Sequence, residues 1–169
     1  MAVASAPLML RYLPAGKLAL RITIEGDGTG MLDNEDRELM VPDLTAPELM
    51  LGTPKLWFAR NAREFTALAG GATSAPTATR EFRRTDRLLI RLDAYAPGTS
   101  TATVTAQLLN QQGTKMVDVP ATGPTDGSLT HSIDLALASL APGQYLLEIT
   151  ATAEGHKTVA ELVAFRVGS

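Results

Sequence analysis

The side chains that could do chemistry are few, and their spacing is poor for catalysis. The chain has two histidines and no cysteine. His131 falls in an alternating segment and His156 in Glu154-Gly155-His156-Lys157; no His-x-x-x-His or His-Glu-x-x-His spacing occurs, so a zinc-hydrolase arrangement is not expected. Ser128, Ser132 and Ser139 lie near His131 in sequence, yet the Gly-x-Ser-x-Gly elbow that exposes a nucleophile is missing. Gly26-Asp27-Gly28-Thr29-Gly30 lacks the Lys-Ser/Thr and the helix start that bind phosphate, and a hairpin turn explains those glycines better. The expectation is a protein that is not an enzyme and needs no cofactor.

Three groups could bind a ligand instead. Asp27, Asp33 and Asp36, with Glu25, Asn34 and Glu35, put many oxygen ligands in one loop, which suits calcium chemically although the spacing is not that of an EF-hand; a solvated acidic turn is the competing reading. Arg80, Arg83 and Arg84, followed by Arg87 and Arg91, form a cationic run whose guanidinium forks could hold carboxylates or an acidic protein surface. Pairing with Glu81, Asp86 and Asp93 on a solvated face is the alternative, and such pairs contribute little. With aromatic residues at 5%, Trp57, Phe58 and Tyr95 are the one set able to form a stacking platform for a glycan.

These side chains must be positioned by strands, because the dominant hydrophobic period is two. Leu18, Leu20, Ile22 and Ile24 alternate with Lys17, Ala19, Arg21 and Thr23. The same alternation gives strands at Leu88–Asp93, with Leu88, Ile90 and Leu92 on one face, and at Thr101–Leu108, with Val104, Ala106 and Leu108 inward. Lys115–Val119, Leu129–Leu135, Tyr145–Ala151 and Val159–Val167 follow, separated by Pro-, Gly- and Asn-containing turns. Short strands at this spacing predict an all-β sandwich or barrel. Asn61–Leu68 is the best helical segment, with Asn61 as its cap and Ala62, Phe65 and Leu68 on one side.

Ala141-Pro142-Gly143-Gln144-Tyr145 matches a tyrosine corner, in which a tyrosine at the start of strand F returns its hydroxyl to upstream backbone. A buried aromatic in some other sandwich is the plainer reading of Tyr145. Leu147 stands where antibody domains have a cysteine, so the expected fold is an immunoglobulin/fibronectin-III-like antiparallel β-sandwich held by apolar packing. Leu13-Pro14-Ala15-Gly16-Lys17-Leu18-Ala19-Leu20-Arg21-Ile22 lines up with Leu140 to Ile149, and each is followed by a turn and an alternating strand. Two domains are therefore expected: residues 1–44, an additional N-terminal β-hairpin that ends a preceding module, and residues 45–169, the sandwich. A hairpin that packs onto the sandwich is the alternative.

Val41-Pro42-Asp43-Leu44, Arg80 to Arg91, and Leu140-Ala141-Pro142-Gly143-Gln144-Tyr145 through Phe165-Arg166-Val167 together resemble the region after the A domain in bacterial, acidobacterial-type von Willebrand factor A-related domain proteins. The resemblance covers most of residues 13–168. It implies a C-terminal β-module of an exported, multidomain protein, and hence an extracytoplasmic setting: periplasmic, cell-surface or secreted. That family's A domain would carry an Asp-x-Ser-x-Ser metal-ion-dependent adhesion site, which does not occur here.

The bulk properties are those of a globular protein and do not fix a compartment. At 169 residues, 45% apolar and 20% charged, the chain can bury a core. Its formal charge of −3 gives no general attraction to nucleic acid or an anionic membrane. No apolar run reaches the roughly 20 residues that span a bilayer, and the small-residue start Met1–Pro7 does not read as a secretion signal. The expected function is a non-catalytic structural or protein-interaction module, with protein as partner; a carbohydrate- or other ligand-binding sandwich is the alternative, glycan and calcium being the ligands considered.

Overall fold

In a computed structural model the chain divides by its contacts into residues 1–46 and 47–169. The structure describes residues 15–26, 30–41, 43, 47–71, 74–98, 100–125 and 127–168.

The first unit contains one antiparallel pair, β1 (Gly16–Glu25) and β2 (Met31–Val41). The register runs from Gly16 opposite Val41 to Ile24 opposite Asp33, with an irregularity at Ile24/Glu25. Directly opposed residues share a face. Leu18, Leu20, Ile22, Ile24, Leu39 and Val41 therefore lie on one side together with Asp33, Glu35 and Arg37, and Lys17, Arg21, Asp36, Glu38 and Met40 on the other.

The second unit is an all-β antiparallel sandwich with one short helix. Its elements are β3 (Met50–Leu51), β4 (Lys55–Ala59), α1 (Ala62–Ala69), β5 (Glu81–Arg83), β6 (Arg87–Tyr95), β7 (Thr103–Asn110), β8 (Lys115–Val119), β9 (Ala121–Thr122), β10 (Thr130–Ala136), β11 (Gly143–Thr152) and β12 (Val159–Gly168). One sheet has the order β4-β6-β10-β9, with β3 continuing the edge of β4 along β6. The other runs β5-β12-β11-β7-β8, antiparallel except where β5 joins β12. The orders β4-β6-β10-β9 and β12-β11-β7 reproduce A-B-E-D and G-F-C of immunoglobulin-type sandwiches.

Period-two alternation puts one face of each sheet inside. Leu56, Leu88, Ile90, Ile133 and Leu135 meet Leu108, Leu147, Ile149, Phe165 and Val167, all buried. Tyr145 is buried beside them, and its hydroxyl donates to the Ala141 carbonyl at 2.8 Å. That is the expected tyrosine corner. The ring stacks on Phe165 with centroids 5.8 Å apart.

Helix α1 forms where Asn61 accepts from the Glu64 amide at 2.9 Å while the Glu64 carboxylate accepts from the Arg60 amide at 2.9 Å, a reciprocal cap. It packs against β4 and β6. Arg87, Leu89 and Arg91 project opposite to the core residues Leu88 and Ile90, and Arg87 and Arg91 reach α1 there. This helix explains why Leu89 is buried although alternation points it outward. The short strands β3, β4, β5 and β9 were not expected from the sequence, since two to five residues give too little alternation to read.

Candidate functional site

The three aromatic candidates do not form one platform. Trp57 and Phe58 are neighbours on β4 and so point to opposite faces. Phe58 packs against the core, 5.8 Å from Phe82, whereas Trp57 lies on the helix side, its indole N–H donating to the Ser74 carbonyl at 2.9 Å. Tyr95 shares the face of Trp57, but six residues of β6 separate it from Leu89, the partner of Trp57. At about 3.3 Å per residue that is about 20 Å.

The arginine run is likewise split. Arg80 leads into β5 and Arg83 closes it, Arg84 lies in the turn, and Arg87 and Arg91 sit on β6 in the opposite sheet. Arg80 donates to the carbonyls of Thr77, Ala78 and Thr79, the last at 2.9 Å, and Arg84 donates to the Ala138 carbonyl at 2.9 Å. Arg87 forks onto Asp134, with Nε 2.7 Å from Oδ1, and lies 4.0 Å over the Phe65 ring. The Asp134 carboxylate holds the Arg87 pKa above its ordinary value. Arg91 donates to the Leu68 and Ala69 carbonyls at 2.8 and 3.2 Å, at the end of α1. These contacts correct the expected pairing with Glu81, Asp86 and Asp93: Asp86 accepts from the Arg83 amide at 2.8 Å, and Asp93 from the Thr130 hydroxyl at 2.6 Å. Most of these guanidinium groups tie segments together.

Asp33 and Asp36 lie on a strand rather than in a loop. They are three residues apart in β2 and therefore face opposite ways. Asp36 is forked by Arg21 at 2.7 and 3.2 Å, and Asp33 accepts from the Asn34 amide at 2.8 Å. Asp27 falls outside the described residues. Among the described residues no three His, Asp or Glu side chains converge on a metal position. His131 is buried at the rim of the core, its Nδ1 hydrogen-bonded to the Leu129 carbonyl at 3.2 Å.

Two surfaces emerge that the candidate residues alone did not define. A groove of about 370 Å³ on the helix side is lined by Gly52, Lys55, Trp57, Arg91, Asp93 and Thr130. The second surface is the β1–β2 hairpin. One face leaves Ile22, Ile24 and Leu39 exposed beside an Arg37–Glu35 ion pair at 2.6 Å, while the opposite face is fastened by Lys17–Glu38 and Arg21–Asp36 ion pairs at 2.7 Å. Two strands cannot bury a face of their own, so such a ribbon is marginal alone in water. The alternation in residues 17–24 was the signal for this face, and the polar stretch Asp33–Arg37 hid the extent of its second strand.

No protein-family model matches the chain, and no curated protein matches it. Among solved structures it is similar to CopC from Methylosinus trichosporium OB3b, at 18% identity and a TM-score of 0.36, over 54% of this chain and 84% of that chain. Among the described residues no helix is long and apolar enough to cross a membrane.

Proposed function

We propose that the chain is a non-catalytic structural or protein-interaction module of an exported, multidomain bacterial protein of the von Willebrand factor A-related kind. The observation that carries this reading is the β1–β2 hairpin, where Ile22, Ile24 and Leu39 are exposed and, among the described residues, neither strand pairs along its outer edge. Exposed apolar patches and unpaired edges are the surfaces that associate.

Cross-linking through Lys17 in the source organism tests the reading. Wild-type protein is expected to yield cross-links to polypeptide, whether a separate protein or another segment of its own chain, and Ile22→Asp with Leu39→Asp to lose them; cell fractionation of the same samples is expected to place the protein outside the cytoplasm. Absence of any polypeptide cross-link would contradict the proposal. A second reading, ligand binding, has the Trp57 groove in its favour, because Lys55, Asp93 and Thr130 offer polar groups beside an aromatic ring. Glycan-array binding that disappears in Trp57→Ala would favour it instead.

A further inference from the structure

The hairpin β1–β2 repeats β11–β12 in structure as well as in sequence. In one the register runs from Gly16 opposite Val41 through Leu18 opposite Leu39 to Ile24 opposite Asp33. In the other it runs from Gly143 opposite Val167 through Tyr145 opposite Phe165 to Ala151 opposite Val159. Gly16, Leu18, Leu20, Ile22 and Ile24 thus correspond to Gly143, Tyr145, Leu147, Ile149 and Ala151, and Leu39 and Val41 to Phe165 and Val167. What differs is the cover. Ile149 and Phe165 are 0% and 4% exposed under the opposite sheet, whereas Ile22, Ile24 and Leu39 are 39%, 52% and 46% exposed. β11 is paired on its other edge by β7, while among the described residues β1 is paired by β2 alone.

We infer that β1–β2 is the closing hairpin of a second sandwich, whose remaining strands lie on the amino-terminal side of it in the same polypeptide. This rests on the module reading above and names its partner: strands of alternating apolar residues, one pairing along β1 and a facing sheet covering Leu18, Leu20, Ile22 and Leu39. Order along the chain supplies the direction, since the F and G strands of such a sandwich are its last two. A second copy does not suffice as cover. A ribbon about 33 Å long and about 10 Å wide would bury about 700 Å² face to face, below the about 1,200 Å² of a stable interface. Arg37 and Asp33 stand where β12 has Val163 and Val159, and Glu35 stands where it has Glu161, so the cover is confined to β1 and the Leu39–Val41 end of β2.

Intact mass and hydrogen exchange on the polypeptide isolated from its source decide the matter. The native polypeptide is expected to exceed the 169 residues of this chain by about 70 or more, the length of the missing strands. In it the β1–β2 amides are expected to exchange about a hundredfold more slowly than in the 169-residue chain, with β11–β12 unchanged between the two. Ile22→Asp in the native polypeptide is expected to remove that protection without altering β11–β12. A native chain that starts at Met1 would overturn the inference. So would equal protection of the hairpin in both forms, or protection that rises with concentration of the shorter one. If instead the hairpin gains protection only from a separate polypeptide cross-linked at Lys17, this inference fails while the interaction reading stands.

Discussion

Tyr145 shows how a single side chain can report a fold. Its hydroxyl is spent on the Ala141 carbonyl and its ring on Phe165, so Tyr145→Phe removes a hydrogen bond and leaves the packing. The expected loss is about 1 kcal/mol in thermal or denaturant unfolding, because a part-buried hydrogen bond is removed; an unchanged midpoint would count against the corner. This contact was legible from Pro142-Gly143 and the tyrosine two residues on, since the geometry is local. The arginine contacts were not legible. Arg91 meets the Leu68 and Ala69 carbonyls, and Arg84 meets Ala138, through chain excursions that no local spacing encodes. The acidic residues were misplaced for a related reason: Asp33 to Arg37 is polar on both faces, so nothing in its pattern distinguished a loop from an exposed strand.

At the scale of elements, two hairpins of the same register differ in what covers them, and substitution at matched positions measures that difference. Leu147→Ala removes a fully buried side chain from β11 and is expected to cost about 2–5 kcal/mol. Leu20→Ala, at the matching place in β1, is expected to leave the main unfolding midpoint of the 169-residue chain within about 0.5 kcal/mol of wild type. Comparable losses at both positions would show that the hairpin belongs to the cooperative core. In α1, Asn61→Ala is expected to cost about 1 kcal/mol and to raise amide exchange first in residues 62–69, because the cap serves the helix before the sandwich. The long strands and this cap were readable from alternation and from Asn61 standing just before the Ala62, Phe65 and Leu68 face. The edge strands β3, β5 and β9 were not, since their pairing is set by the neighbours they reach.

At the scale of the whole molecule, the reading proposed above requires that residues 47–169 fold as a sandwich without residues 1–44 and that the N-terminal hairpin serves association. The sandwich already has both sheets, with its largest buried side chains contributed by β4, β6, β7, β10, β11 and β12 and by Leu137 between them. The most direct measurement is hydrogen exchange during thermal unfolding of a chain lacking residues 1–44, compared with the 169-residue chain. One cooperative transition is expected in the truncated protein, with amides of β6, β7, β11 and β12 protected as in the longer chain. Loss of cooperative unfolding, or faster exchange throughout those strands, would contradict it and make the hairpin part of one larger β domain.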